Sequence, residues 1–406
     1  NNTAIGKDSL TDNTSGASNV AIGVNCLQDN TTGSNNVAIG HGSLRLGETA
    51  SNNTAVGRAV LNNCTGGNNT GLGYQVLNAN TSGANNTGIG YNALVVNTTG
   101  TGGVAVGYRA LDSNTTGNYN VAIGQDALTA NSTGTQNMAI GVNAGMTITT
   151  GNYNTAIGPN TIRGTEVTGS HNVALGLQAL NVITTGSENV SIGNYSSHKA
   201  TTATNNVAVG YAALNDTTTG ANNVAIGRDA LLENTTASNN TAVGKSALGV
   251  NTTGHSNIAV GHNALDANTT GQYNTASGQN ALTANTTGNN NTANGHNALG
   301  ANTSGIGNAA VGMYSLDANT TANYNTAIGY ESLSANNTGI GNAVVGAFAL
   351  KLNTTANNNT AVGYECLDAN TTGADNTAVG RSSLGANTTG HKHVAVGAYS
   401  LDANTT

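Results

Sequence analysis

The chain has 406 residues, of which 7% are charged and 3% aromatic, with 56 Gly, no Trp, one Phe and one Pro. Ordinary globular proteins carry roughly 25% charged residues, so this composition argues against the two or three conventional domains that the length alone suggests. The formal net charge of −7 is small for the length and does not fit a disordered polyelectrolyte. The composition favours a regular structure held together by hydrogen-bonded ladders.

A short phrase, Ala-Ile-Gly in its commonest form, recurs along the whole chain. Its first residue is position 0 of each copy, and 24 copies run from residue 4 to residue 395. The spacing is 17 residues, except for one step of 16 from residue 55 to 71 and one of 18 from 156 to 174. A fixed period indicates a solenoid, and 17 residues leave no room for the paired helices of longer repeats. We call each copy a rung.

Four positions of the rung are restricted. Position +2 is Gly in all 24 rungs, and position +6 is Leu in 21. Position +1 is apolar except at Ser277 and Asn294, and position −2 is Asn except at Gly103 and His393. Bulky residues at −1 and +1 alternate with small ones at 0 and +2, which is the period of a strand.

We therefore predict an all-β fold, a narrow parallel β-solenoid of about 24 rungs with a second short strand near +6 to +8. Rungs about 4.8 Å apart would form a rod of roughly 115 Å. Ile or Val at +1 and Leu at +6 are expected to form two internal apolar columns. Because these columns are thin, we expect self-association through the small Ala/Gly face.

The Asn at −2 and the Gly at +2 are predicted to be structural. Stacked Asn side chains can hydrogen-bond along a solenoid, and Gly at +2 indicates a positive φ or a close backbone approach. The representative residues are Asn86, Asn120, Asn223 and Asn325 for the ladder, and Gly90, Gly124, Gly227 and Gly329 for the glycine position.

The chain reads as one repeat array over 1–406, a segment of a longer fibre. No apolar run is long enough to cross a membrane. Rungs within 139–205 are degenerate, since they lose the +6 Leu and carry the only proline, Pro159. We predict a local irregularity there.

Position +3 varies most, which indicates an outward-facing position. It is either solvated surface or a lateral contact for a receptor or glycan. The tyrosines at this position that we single out are Tyr74, Tyr91, Tyr108, Tyr211, Tyr330 and Tyr364.

The Asn-Thr-Thr-Gly corner at +9 to +12 permits two further hypotheses. Asn-x-Thr is a glycan acceptor pattern, although a ladder explains the same residues without sugar. A row of Thr at solenoid spacing also permits ice binding, with one rank of Thr on each side. The candidate acceptors are Asn30, Asn97, Asn114, Asn268 and Asn370.

Repetition places like groups in rows, whereas catalysis needs unlike groups that converge, so we expect no enzyme and no cofactor. His391 and His393 could bind a metal if several chains meet, but a variable corner explains them as well. Aspartates recur at +7 without the Gly-Gly-x-Gly-x-Asp signature of calcium-binding rolls. The three cysteines form no disulfide framework, because two of them lie in rungs far apart along the chain, at the position +5 where small residues are usual. We expect no metal site.

The phrases NVAIGVNCL, NVAIGRDAL and NMAIGVNAG resemble the head repeats of trimeric autotransporter adhesins. The longer pattern NTAIGYxALxxNTTG is similar to shaft repeats of phage tail fibres and bacterial surface proteins. The resemblance covers the chain and implies a left-handed β-roll associated as a side-by-side homotrimer. The 17-residue period is longer than in adhesin heads, so the turn side is enlarged.

These features predict a structural shaft of an extracellular fibre, on a cell surface or a virion, that displays a distal binding element. The alternative is a module whose lateral face binds glycan, a host surface or ice, or a glycosylated filament. The expected partner is the chain itself, with a host-surface glycan or receptor as a second possibility. Nucleic acid binding and membrane insertion are not expected.

Overall fold

The computed structural model describes residues 1–406, which separate into an N-terminal unit, Asn1–Thr204, and a C-terminal unit, Asn205–Thr406. Each unit contains twelve short parallel strands, one per rung, and no helix. The predicted all-β solenoid with a 17-residue spacing is therefore confirmed. The chain has no helix of the length and apolarity needed to cross a membrane.

In the N-terminal unit each strand pairs in parallel with the next. Equivalent positions face one another, as in Val121↔Met138 and Ala122↔Ala139. The strands are β1 (Thr3–Ile5), β2 (Val20–Ile22), β3 (Val37–Ile39), β4 (Thr54–Arg58), β5 (Thr70–Tyr74), β6 (Thr87–Tyr91), β7 (Val104–Val106), β8 (Val121–Ile123), β9 (Met138–Ile140), β10 (Thr155–Ile157), β11 (Val173–Leu175) and β12 (Val190–Ile192).

The C-terminal unit repeats this arrangement, with Thr275↔Thr292 and Ser277↔Asn294 as one example of its register. The strands are β13 (Val207–Val209), β14 (Val224–Ile226), β15 (Thr241–Val243), β16 (Ile258–Val260), β17 (Thr275–Ser277), β18 (Thr292–Asn294), β19 (Ala309–Val311), β20 (Thr326–Ile328), β21 (Ala343–Val345), β22 (Thr360–Val362), β23 (Thr377–Val379) and β24 (Val394–Val396).

The prediction of a second strand near +6 to +8 is wrong, because the backbone on this side of the rung forms consecutive turns. Positions +4 and +6 are left-handed, as at Asn25 (φ 56°) and Leu27 (φ 47°). The turns still bond to neighbouring rungs: the Asn25 N–H donates to Lys7 O at 3.0 Å and the Leu27 N–H to Ser43 O at 3.0 Å. Non-glycine residues rarely adopt this conformation, so the stacking of rungs maintains it.

The predicted inner and outer faces of the strand are reversed. Ala122 at position 0 and Leu128 at +6 are fully buried, whereas Ile123 at +1 is 39% exposed. The internal columns are therefore Ala at 0, a small residue at +5 and Leu at +6. Successive strand residues point to opposite sides, so burying position 0 turns −1 and +1 outward. The prediction of an internal +1 column and an external Ala/Gly face is wrong.

Two rungs show that the preceding +5 residue limits the size of the side chain at position 0. Val60 and Val76 occupy +5, where Ala or Ser is usual, and the following rungs carry Gly71 and Gly88 at position 0. A Cβ added at Gly71 would collide with Val60 Cγ1, and one at Gly88 with Val76 Cγ1. Cores are packed too tightly to absorb an extra methyl group, so a larger +5 residue requires a smaller residue at 0.

The two irregular steps lie outside the strands. Ala55 pairs with Gly71 across the 16-residue step, and Ala156 pairs with Ala174 across the 18-residue step. The extra residue of the longer step is accommodated in the turns, where Val167 forms an isolated parallel bridge with Ile148.

The degenerate rungs change the content of the core. Ile148, Ile183 and Ala200 replace the usual Asn at +9 and are buried, and Val167 is buried beside them. Gly145 at +6 leaves space that the Ile148 side chain approaches. The predicted irregularity is therefore a local replacement of a polar column by an apolar one, while strands β9 to β12 keep their register.

Candidate interaction surfaces

The strand face, defined as the side chains at −1 and +1 of each rung, presents a row of apolar side chains at +1 on each unit. Position +1 is apolar in 22 of 24 rungs, and neither position carries a charged residue in any rung. Exposed fractions at +1 include 47% for Leu72, 41% for Ile226 and 42% for Val345. Soluble monomers seldom expose long contiguous apolar patches, so this face is a candidate interface.

The first three tyrosines at +3 form a stack on the N-terminal unit. The ring centroids of Tyr74 and Tyr91 are 5.0 Å apart and those of Tyr91 and Tyr108 are 5.4 Å apart, with interplanar angles of 8° and 15°. The Arg58 guanidinium lies 5.8 Å from the Tyr74 centroid. Because the ring faces contact one another, the stack offers ring edges and hydroxyls to solvent.

The other three tyrosines have different neighbours. The Arg228 guanidinium lies 5.7 Å from the Tyr211 ring, and Tyr330 meets Phe348 edge to face at 5.3 Å. Tyr364 lies against Phe348 and 5.8 Å from Arg381. All three rings are partly exposed, between 38% and 51%. The structure thus does not bring the six tyrosines together into one site.

The Asn at −2 is buried and closes its own rung. The Asn120 amide donates to Gly134 O at 2.7 Å, while its Oδ1 accepts the Asn137 N–H of the next rung at 2.9 Å. Where Gly103 replaces the Asn, its N–H still donates to Asn86 Oδ1 at 2.8 Å, but the ladder is interrupted there because glycine has no side-chain oxygen to accept the N–H of the next rung. Equivalent amide-to-carbonyl bonds are made by Asn86, Asn223 and Asn325.

Glycine at +2 meets both conditions set by the sequence. Gly124 has φ +135°, and a Cβ added there would lie 2.5 Å from Gly141 O. Gly90, Gly227 and Gly329 have φ between +134° and +136°. Position +2 therefore excludes any side chain.

The five candidate glycan acceptors lie inside the solenoid. Their exposed fractions are 0–2%. The Asn97 amide donates to Asn80 Oδ1 at 2.7 Å, and the Asn114 amide donates to Asn97 Oδ1 at 2.8 Å. An amide bonded on both sides within the core cannot accept a sugar on the folded chain. Asn30, Asn268 and Asn370 also donate to the Asn of the preceding rung, although Asn30 Oδ1 has no hydrogen-bond partner because Gly47 takes the +9 position of the next rung.

The threonines of the corner differ from one another. At +10 the hydroxyl is used within the solenoid, as where Thr98 Oγ1 donates to Thr115 O at 3.0 Å and Thr115 Oγ1 to Ser132 O at 3.0 Å. At +11 the side chain is exposed, as at Thr116 and Thr287. The corner therefore presents a single outward rank of Thr.

The aspartates at +7 do not converge. Asp266, Asp317 and Asp368 are three rungs apart from one to the next, about 14 Å, whereas calcium ligands lie within about 2.6 Å of the ion. Burial raises the pKa of all three carboxyls. No group of three His, Cys, Asp or Glu residues is placed to hold a metal.

The histidines near the C-terminal end have structural contacts. His391 Nδ1 accepts the Ala374 N–H at 2.9 Å. His393 replaces the −2 Asn: its N–H donates to Asn376 Oδ1 at 2.9 Å, and its Nε2 lies 3.3 Å from Asn404 Nδ2.

The three cysteines are free and buried. Cys26 and Cys366 occupy the small-residue position +5, and the Cys26 thiol donates to Gly40 O at 2.6 Å. Burial raises the pKa of Cys366 to about 11. These thiols are core residues and not reactive nucleophiles.

Sequence reasoning missed the strand face as a surface, although one signal pointed to it. The Val60–Gly71 and Val76–Gly88 pairs show that the residue at position 0 contacts the +5 residue of the preceding rung. Position 0 therefore faces the inside of the solenoid and position +1 the outside.

No protein-family model matches the chain, and no curated protein is similar to it in sequence.

Proposed function

We propose that each unit is a shaft segment of an extracellular fibre, on a cell surface or virion, that assembles side by side with further copies of the chain. The observation that carries the proposal is the strand face, whose outward row at +1 is apolar in 22 of 24 rungs and free of charge in all of them. A row kept apolar at +1, where the solenoid's own core does not need it, is best explained by a partner that covers it.

The size of the face supports a partner of the same kind. Twelve rungs at about 4.8 Å make a strip roughly 58 Å long, and a strip about 10 Å wide covers about 580 Å² on each partner. The two partners together would bury about 1,200 Å² per unit, the lower end of stable interfaces. A second copy in parallel offers the same spacing, so each rung meets an equivalent rung.

The proposed setting rests on the resemblance to autotransporter heads and tail-fibre shafts. A repeated rung with no converging reactive groups suits a mechanical role, in which the shaft holds a distal binding element away from a surface. A trimer is the form that the resemblance favours.

Sedimentation equilibrium of the full chain tests the proposal. We expect an integer multiple, two or more, of 40.1 kDa at micromolar concentration. Asp in place of Ile123 and Ile328, both about 40% exposed, should release monomers, because each places a charge in the apolar face. The control replaces Thr116 and Thr321 of the exposed corner by Asp and should not alter the mass. A monomer for the unmodified chain would contradict the proposal.

A second candidate function, glycan binding, is favoured by the tyrosine stack. Tyr74, Tyr91 and Tyr108 present hydroxyls at rung spacing beside the Arg58 cation, an arrangement suited to a polyhydroxylated chain. Binding to a glycan array should fall on Tyr91→Ala and not on Tyr324→Ala, which changes an exposed ring outside the stack. Absence of binding by the unmodified chain would reject this candidate.

A further inference from the structure

The strand face of the C-terminal unit is interrupted at one place. Ser277 and Asn294 are the two polar residues at +1, and they lie on the adjacent strands β17 and β18, paired with each other in register. Position −1 of the same rungs is Thr275 and Thr292. We call these four side chains the polar window. No other rung has polar residues at both positions.

The solenoid itself does not require this interruption. Val260 and Val311, at +1 of the rungs on either side, are 41% and 39% exposed, so the same backbone carries valine there. Asn294 is exposed and Ser277 is partly buried, and neither the side-chain amide of Asn294 nor the hydroxyl of Ser277 forms a hydrogen bond within the chain. Their hydrogen-bonding groups are therefore available to a partner.

Burying these polar groups against an apolar partner would cost free energy. A buried polar group without a hydrogen-bond partner loses on the order of 1–3 kcal/mol. A single asparagine in an otherwise apolar coiled-coil seam specifies register for this reason. The rest of the strand face is nearly the same in every rung, so it discriminates poorly between an aligned pair and one displaced by a rung.

We propose that the polar window fixes the axial register of side-by-side association, by pairing with the same window of a second copy aligned in parallel. In that alignment amide and hydroxyl groups of one copy meet those of the other. A displacement of two rungs places both polar side chains of each copy against valine or isoleucine. This inference rests on the proposed self-association.

Chemical crosslinking of the full chain tests the proposal. Val345→Cys and Val379→Cys place reporters at +1 of two rungs that are two steps apart, 42% and 36% exposed, while the native cysteines are fully buried. The two variants are mixed and treated with a short bismaleimide. Aligned copies should give the 345–345 crosslink in excess over the 345–379 crosslink, which reports a displacement of two rungs, by at least about fivefold, the ratio that one unpaired polar group produces.

Removing the window should abolish this preference without dissociating the chains. With Ser277→Val and Asn294→Val added, the crosslink ratio should fall towards one while the sedimentation mass stays the same. The matched control, Thr287→Val with Ser304→Val, removes two exposed polar side chains of the same rungs away from the strand face and should keep the ratio.

The outcomes separate the two proposals. Three outcomes would overturn the register proposal without contradicting self-association. They are a crosslink ratio near one in the chain with the native window, a crosslink ratio unchanged by Ser277→Val and Asn294→Val, and an assembly without the 345–345 crosslink. A monomeric chain without crosslinks would overturn both.

Discussion

At the scale of single residues, the rung depends on backbone conformations that most side chains avoid. Leu at +6 is left-handed in rung after rung, as at Leu128 (φ 49°) and Leu282 (φ 53°). The sequence shows a strong preference for Leu at +6 but no sign of this conformation, because only glycine and asparagine usually mark it. Burial of the Leu side chain and the backbone bonds between rungs offset its cost.

Two glycines of one rung provide a matched comparison. Gly295 at +2 has φ +140° and a Cβ there would lie 2.5 Å from Gly312 O, whereas Gly300 at +7 lies where other rungs carry side chains. We expect Gly295→Ala to lower the free energy of unfolding by about 3 kcal/mol or more, and Gly300→Ala to change it by less than about 1 kcal/mol. Thermal and denaturant unfolding of the full chain measure this; equal effects of the two variants would contradict it.

The buried Cys366 thiol predicts a pH dependence. Its pKa is raised from 9.0 to about 11 in the folded chain, so the neutral thiol is favoured by folding. Its stabilising contribution is present below about pH 9 and is lost as the pH rises through about 11. Cys366→Ala, which restores the usual +5 residue, should reduce the fall in unfolding free energy between pH 9 and 11. An identical pH profile for the variant would refute this.

At the scale of the rung, two internal Asn ladders replace much of an ordinary core. The −2 ladder could be predicted from its near-invariance within the chain. At +9 the sequence permits either a ladder or a corner with glycan acceptors, because Asn-Thr-Thr-Gly is also typical of an exposed turn. Asn285 shows the difference: its amide donates to Asn268 Oδ1 and to Gly288 O inside the solenoid.

The pairing of position 0 with the preceding +5 residue can be tested as a unit. Gly71→Ala alone should destabilise the chain by about 1–3 kcal/mol, because the new methyl group collides with Val60. Val60→Ala combined with Gly71→Ala recreates the arrangement of the other rungs and should recover most of the loss. A double-mutant cycle measures the coupling; additive effects would show that the two positions are independent.

At the scale of the whole molecule, the fold class, the period and the number of rungs could be predicted, because the repeat is written directly in the sequence. The assignment of faces could not be obtained from alternation alone, since a two-residue period fits either orientation. The exposure of Ile123 and the burial of Ala122 decide it. The sequence predicts self-association through the Ala/Gly face. Because the structure buries that face, we propose self-association through the strand face.

The most direct test of that proposal is the mass per unit length, measured by scanning transmission electron microscopy of the unlabelled chain. A chain of 40.1 kDa with 24 rungs has about 0.35 kDa per Å of solenoid if rungs stack about 4.8 Å apart. We predict an integer multiple of this value, two or more, along each unit. A value equal to that of one chain would contradict side-by-side assembly through the strand face.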